Sequence, residues 1–122
     1  MNPEEILREY EICRNQSEIY QQNLELVTGS LAELKTVDRG LDEIKDVDKN
    51  NEVLVPIGMD SFIKARIIDP KNVIVGIGAS VAVKKTVEDA KVDVGKRIAE
   101  LEKVKAYQTS NLEKLISKLV EL

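Results

Sequence analysis

The chain has 122 residues, of which 33% are charged and 3% aromatic, with no Trp and no His; this is one domain's worth of length with little material for a conventional globular core, so its apolar residues have to be buried along seams or between chains. Its 22 acidic and 18 basic side chains are interspersed and sum to a net charge of -4, which offers no basic face to nucleic acid or to an anionic bilayer. The single cysteine, Cys13, excludes an intrachain disulfide framework and a cysteine-based zinc site, and fits a reducing, cytoplasmic setting.

The first residues are acidic and lack a basic segment followed by an apolar one, and no window approaches the roughly 18 apolar residues of a membrane span, so the expectation is a soluble, unexported chain. Asn2 is placed to cap a helix with Pro3 at its first position and Glu4 and Glu5 against the positive end of the helix dipole. From there a 3-4 spacing runs through Ile6, Tyr10, Cys13, Ser17, Tyr20, Leu24, Val27, Leu31, Leu34, Asp38 and Leu41, the repeat of a coiled-coil seam. Near its end a second track, Val37, Leu41 and Ile44, fits better than Asp38 and predicts a rotation of the seam. The helix is expected over 3–48.

The next block, 52–85, reads as two β-hairpins with strands at 52–57, 62–68, 72–77 and 81–85. Gly58-Met59-Asp60-Ser61, Asp69-Pro70-Lys71-Asn72 and Gly78-Ala79-Ser80 supply turn chemistry. Pro56 lacks an N–H and belongs at an edge or a bulge. Val53-Leu54-Val55 and Val73-Ile74-Val75 are apolar on both faces of the pleat, which an isolated, half-solvated hairpin does not tolerate, and four short strands do not close a barrel by themselves. The strands are therefore expected to join those of other subunits. The residues assigned to that assembly are Val53, Val55, Ile57, Phe62, Ile63, Ile67, Val73, Val75, Ile77, Val81 and Val83.

Thr86 before Glu88 and Asp89 marks the start of a second helix over 86–122. Its seam is Val87, Lys91, Val94, Ile98, Leu101, Lys105, Gln108, Leu112, Leu115, Leu119 and Leu122, with Lys105 and Gln108 as polar interruptions of the kind that select register. An even number of strands returns the chain near its starting point, so the helices are expected to pair antiparallel. The fold class is thus α+β: one domain over 1–122, a long antiparallel α-helical coiled coil with two β-hairpins between the helices, the hairpins contributing to an intersubunit β-barrel.

Other chemistry is weakly signalled. Gly76-Ile77-Gly78 lacks the third glycine of a dinucleotide fingerprint, because Val81 stands in its place and a strand follows; a tight turn explains these glycines better. No GxxxxGK[ST] loop is present, and the carboxylates are dispersed, so no enzyme activity, cofactor or metal is expected. Cys13 occupies a seam position, where packing outranks redox sensing.

Leu54-Val55-Pro56-Ile57-Gly58, Ser61-Phe62-Ile63-Lys64-Ala65, the run from Val75 to Lys85, and Glu88-Asp89-Ala90 resemble the prefoldin family in its archaeal α class. The resemblance covers the hairpin block closely and both helices in pattern. It implies an ATP-independent holdase subunit that binds unfolded or nascent polypeptides and delivers them to a group II chaperonin. It also implies a hexamer of two α-class with four β-class subunits in which hairpins build barrels and coiled-coil tips grip clients. Many relatives continue helix 2 beyond the point matching Leu122. The alternative is a prefoldin-like structural coiled coil forming filaments or a tether.

If Val47 lies beside Val87, the equal rise of two helices sets residue 12 opposite residue 122. Ile6, Leu7 and Tyr10 would then run past the end of helix 2, with Leu115, Leu119, Val120 and Leu122 nearby, forming an apolar tip for non-native chains.

Overall fold

A computed structural model describes residues 2–122. Its elements in order are α1 (Pro3–Lys45), β1 (Asn51–Gly58), β2 (Ser61–Ile67), β3 (Asn72–Gly78), β4 (Val81–Thr86) and α2 (Val87–Glu121). Both helix starts are capped as the residues dictate. The Glu5 N–H donates to Asn2 Oδ1 at 2.8 Å, and the Asn2 amide returns a bond to Glu5 Oε1 at 3.3 Å. The Asp89 N–H donates to Thr86 Oγ1 at 3.1 Å. Helix α1 stops at Lys45, short of the expected position 48, and Asn50 turns the chain with a φ of 65° before β1. The left-handed conformation is one that Asn tolerates better than most residues.

The chain folds as two compact units. One takes α1 up to Lys35 and α2 from Arg97; the other is Thr36–Lys96.

In the first unit the two helix segments run antiparallel, with Lys35 pairing to Glu102 at 3.2 Å and Lys118 to Glu9 at 3.1 Å. The expected seam is the buried one except at Tyr10, which is exposed. Cys13, Ser17 and Leu31 are buried, and Ile6, Tyr20, Leu24, Val27 and Leu34 are half-buried beside them. From α2, every seam position from Ile98 to Leu122 is half-buried, Lys105 and Gln108 included. Ser17 is tolerated in this setting because its hydroxyl donates to the Cys13 carbonyl one turn back at 2.8 Å.

In the second unit, β1–β2 and β3–β4 form two separate two-stranded antiparallel sheets. Their turns are built alike. Met59 and Asp60 in one, and Ala79 and Ser80 in the other, all have φ between 47° and 59°, the pair of left-handed residues that matches a hairpin turn to the twist of its strands. Each pair follows a glycine, Gly58 at φ 116° and Gly78 at φ 106°, in a region closed to residues with a Cβ. The register slips at the same place in both: between Pro56 and Gly58, and between Gly76 and Gly78. Pro56 thus sits next to the irregularity, where its missing N–H matters least.

The core of this unit is Leu41, Val87 and Ala90, with Ile44, Val73, Val75 and Val94 packed against it. A backbone bond from the Val87 N–H to the Lys71 carbonyl, 2.9 Å, joins the start of α2 to the turn before β3. Two sequence expectations are corrected here. Leu41 and Ile44, not Val47, pack with Val87, because α1 ends before Val47. The seam also does not rotate onto Val37, which is 49% exposed. It keeps Asp38, half-buried, because Lys91 on α2 occupies the facing seam position and forms ion pairs with Asp38 at 3.7 Å and with Asp42. A polar residue stays in a seam when its counter-charge lies opposite.

Candidate functional site: bare hairpin faces and the helix ends

Side chains alternate across a strand, so each hairpin has to cover two faces. On β3 the inward face, Val73 and Val75, lies on the core, while Ile74 between them is 79% exposed. Val83 on β4 is half-buried, whereas Ile77 and Val81 are exposed. The first hairpin is barer still. Val53 and Ile67 are half-buried, while Val55, Ile57, Phe62 and Ile63 are exposed. Val55 and Ile63 stand directly across from each other in the ladder.

These positions divide the assembly residues predicted from sequence. Val55, Ile57, Phe62, Ile63, Ile77 and Val81 present apolar surface to solvent, whereas Val73 and Val75, half-buried, pack against this chain's own helices. Leu54, Ile68 and Ile74 were missed; all three are exposed. The signal for two of them was already present, because Leu54 and Ile74 are the middle residues of the two-faced apolar runs. Exposed apolar side chains concentrated on narrow sheets with open edges make a surface suited to pairing with other strands.

The seven tip residues also divide. Leu7 and Tyr10 are exposed and Val120 is 82% exposed, whereas Ile6, Leu115, Leu119 and Leu122 are half-buried on the seam. Glu9 pairs with Lys118, so the last turns of α2 lie beside this part of α1, and Ile6 is half-buried, while Leu7 and Tyr10 remain exposed. What remains for contact with other molecules is the exposed set.

Electrostatics here is structural. The Asn72 side-chain amide, then the Lys71 N–H and nearby Lys84, hold Asp69 below the ordinary aspartate value of 3.8. Lys85, hydrogen-bonded to Asp93, does the same for that carboxyl. Hydrogen bonding to Asp42, supported by Asp38, raises Lys91 above 10.5, and Glu9 does so for Lys118. A depressed carboxylate stabilises the fold above its unfolded pKa and stops doing so as pH falls through its lower folded value. A raised ammonium stabilises below its unfolded pKa, and the contribution disappears as pH rises through the higher folded value. Helicity followed by circular dichroism is therefore expected to decline below about pH 4 and again above about pH 10. There is no histidine to add a step near neutrality, and a transition centred near pH 6.5 would contradict this account.

Cys13 is buried at 2% exposure in the seam. Cys13→Ser is expected to lower stability by about 1 kcal/mol through the buried hydroxyl while leaving oligomeric mass unchanged, as read by thermal melting and light scattering. Among the described residues no group of three or more His, Cys, Asp or Glu side chains is arranged to hold a metal ion, and no helix is long and apolar enough to cross a membrane.

The chain is thus two long helices flanking, in sequence, a pair of antiparallel hairpins whose apolar strand faces are largely exposed. Residues 13–122 match the model of the family described as prefoldin subunit. The chain is 40% identical over 97 residues to prefoldin subunit alpha 1 of Thermococcus kodakarensis, covering 80% of this chain and 66% of that one. It is 37% identical over 120 residues to prefoldin subunit alpha of Pyrococcus horikoshii, covering 95% and 81%. With prefoldin subunit alpha of Methanopyrus kandleri, the 40% identity covers 71% of this chain and 55% of the relative. A chain from the cryo-EM structure of filamentous PFD from Methanocaldococcus jannaschii superposes with a TM-score of 0.76 over 97% of this chain and 95% of that one, at 19% identity, which shows a shared fold. The chain belongs to the prefoldin family.

Proposed function

We propose that this chain is an α-class subunit of an ATP-independent chaperone. It assembles with β-class prefoldin subunits, two α with four β, and the assembly holds non-native polypeptides in the cytoplasm for delivery to a group II chaperonin. The observation that carries the reading is the exposure of Leu54, Val55, Ile57, Phe62, Ile74 and Ile77 on two narrow sheets, since apolar strand faces of this kind are stable only when other strands or layers cover them. The α-subunit relatives support the α-class assignment. No enzymatic step is involved.

The test mixes the chain with a β-class prefoldin subunit and measures mass by light scattering, then measures suppression of aggregation of a chemically unfolded client without nucleotide. A discrete hetero-oligomer that suppresses aggregation without ATP is the expected result. Polydisperse filaments of the chain alone that leave the client unprotected would reject the chaperone reading in favour of a structural one.

A further inference from the structure

Helix α1 carries a second seam on its outer side. Ile12, Asn15, Ile19, Gln22, Leu26 and Gly29 follow the same alternation of three and four residues as the buried seam, and all six are exposed. The apolar members are bare to a degree that a solvated helix face does not require: Ile12 47%, Ile19 57% and Leu26 71%. A strict seven-residue recurrence is the pattern that fits another helix winding alongside, because it keeps the stripe facing the partner under a left-handed supercoil.

The two flanks of this seam differ. One is Glu11, Glu18 and Glu25, each exposed and in no ion pair among the described residues. The other is Gln16, Asn23 and Ser30, uncharged in a chain that is 33% charged. The only cation between residues 11 and 30 is Arg14, one row further round toward the buried seam. Charged flanking rows choose partners in coiled coils. Two copies packed face to face would set the glutamate rows against each other or against amides, and neither arrangement neutralises them.

We propose that this face of α1 docks an amphipathic helix of another protein, one with an apolar 3-4 seam bordered on one side by a row of Lys or Arg. Its apolar contacts fall on the Ile12, Ile19 and Leu26 row, and the adjacent Asn15 and Gln22 offer amides to polar groups of the docked helix.

The test uses the full chain and two labelled synthetic three-heptad helical peptides with the same apolar seam. One has lysine at each flank position and the other has glutamate there; binding is read by fluorescence anisotropy. The lysine peptide is expected to bind about tenfold more tightly, the sum of three exposed charge pairs, with the preference shrinking as salt rises. Ile19→Ser with Leu26→Ser is expected to abolish binding of both peptides. Replacing Glu11, Glu18 and Glu25 by Gln removes the preference and retains the apolar contact. All five positions are exposed, so helicity and melting stay at wild-type values, which circular dichroism verifies. Equal binding of the two peptides, undiminished binding to the serine variant, or self-association of the wild-type chain lost in that variant would each overturn the proposal.

Discussion

Ile74→Asp is expected to leave the chain folded but unable to assemble, and Val75→Asp, one residue along the same strand, to unfold the hairpin unit. The two residues project to opposite faces of β3. Val75 packs on the cluster of Leu41, Val87 and Ala90, so a carboxylate there is buried without a counter-charge and costs about 3 kcal/mol or more. Ile74 is 79% exposed in the chain, and aspartate at that site is solvated until another subunit covers it. The penalty then falls on association alone. Thermal melting of the isolated chain and oligomer mass with β-class partners read the two effects separately. A Val75→Asp chain that melts like wild type, or an Ile74→Asp chain that assembles like wild type, would refute the assignment of faces.

The second large effect concerns capture. Replacing Leu7, Tyr10 and Val120 together by Ser is expected to reduce client protection several-fold at unchanged oligomer mass and helicity. These are the exposed apolar members of the tip set, and binding that buries them gains about 25 cal/mol per Å² of apolar area. Leu119→Ser is the control. That residue is half-buried on the seam, so its replacement is expected to lower the melting temperature of the helix ends before it alters capture. The measurement is suppression of client aggregation at equal oligomer concentration. Full protection by the triple variant would move capture to other surfaces or to the partner subunits.

Periodicity alone located most of this architecture. The 3-4 count from Val87 to Leu122 names eleven α2 positions, and every one is buried or half-buried, including the polar Lys91, Lys105 and Gln108. The hairpins were legible for a different reason: Gly58 and Gly78 fall between apolar runs of strand length and supply the positive φ that the chain adopts at each turn. What was not legible depended on facts outside any one element. Whether Val37 or Asp38 lines the seam is decided by Lys91 on the other helix. Which half of Val73-Ile74-Val75 faces inward is decided by where Leu41 and Ala90 sit, since an apolar run on both faces carries no preference of its own.

The two-stranded sheets also set how stability itself should be measured. Each has unpaired backbone edges and little apolar cover, so part of the free energy that makes the second unit a fixed structure is a binding energy held in common with its partners. Its melting temperature in the assembly is then a function of protomer concentration, and dilution below the dissociation constant lowers it toward that of the isolated chain. A chain of this design gains stability on assembly, so one made without its partners stands closer to unfolding than the assembled one.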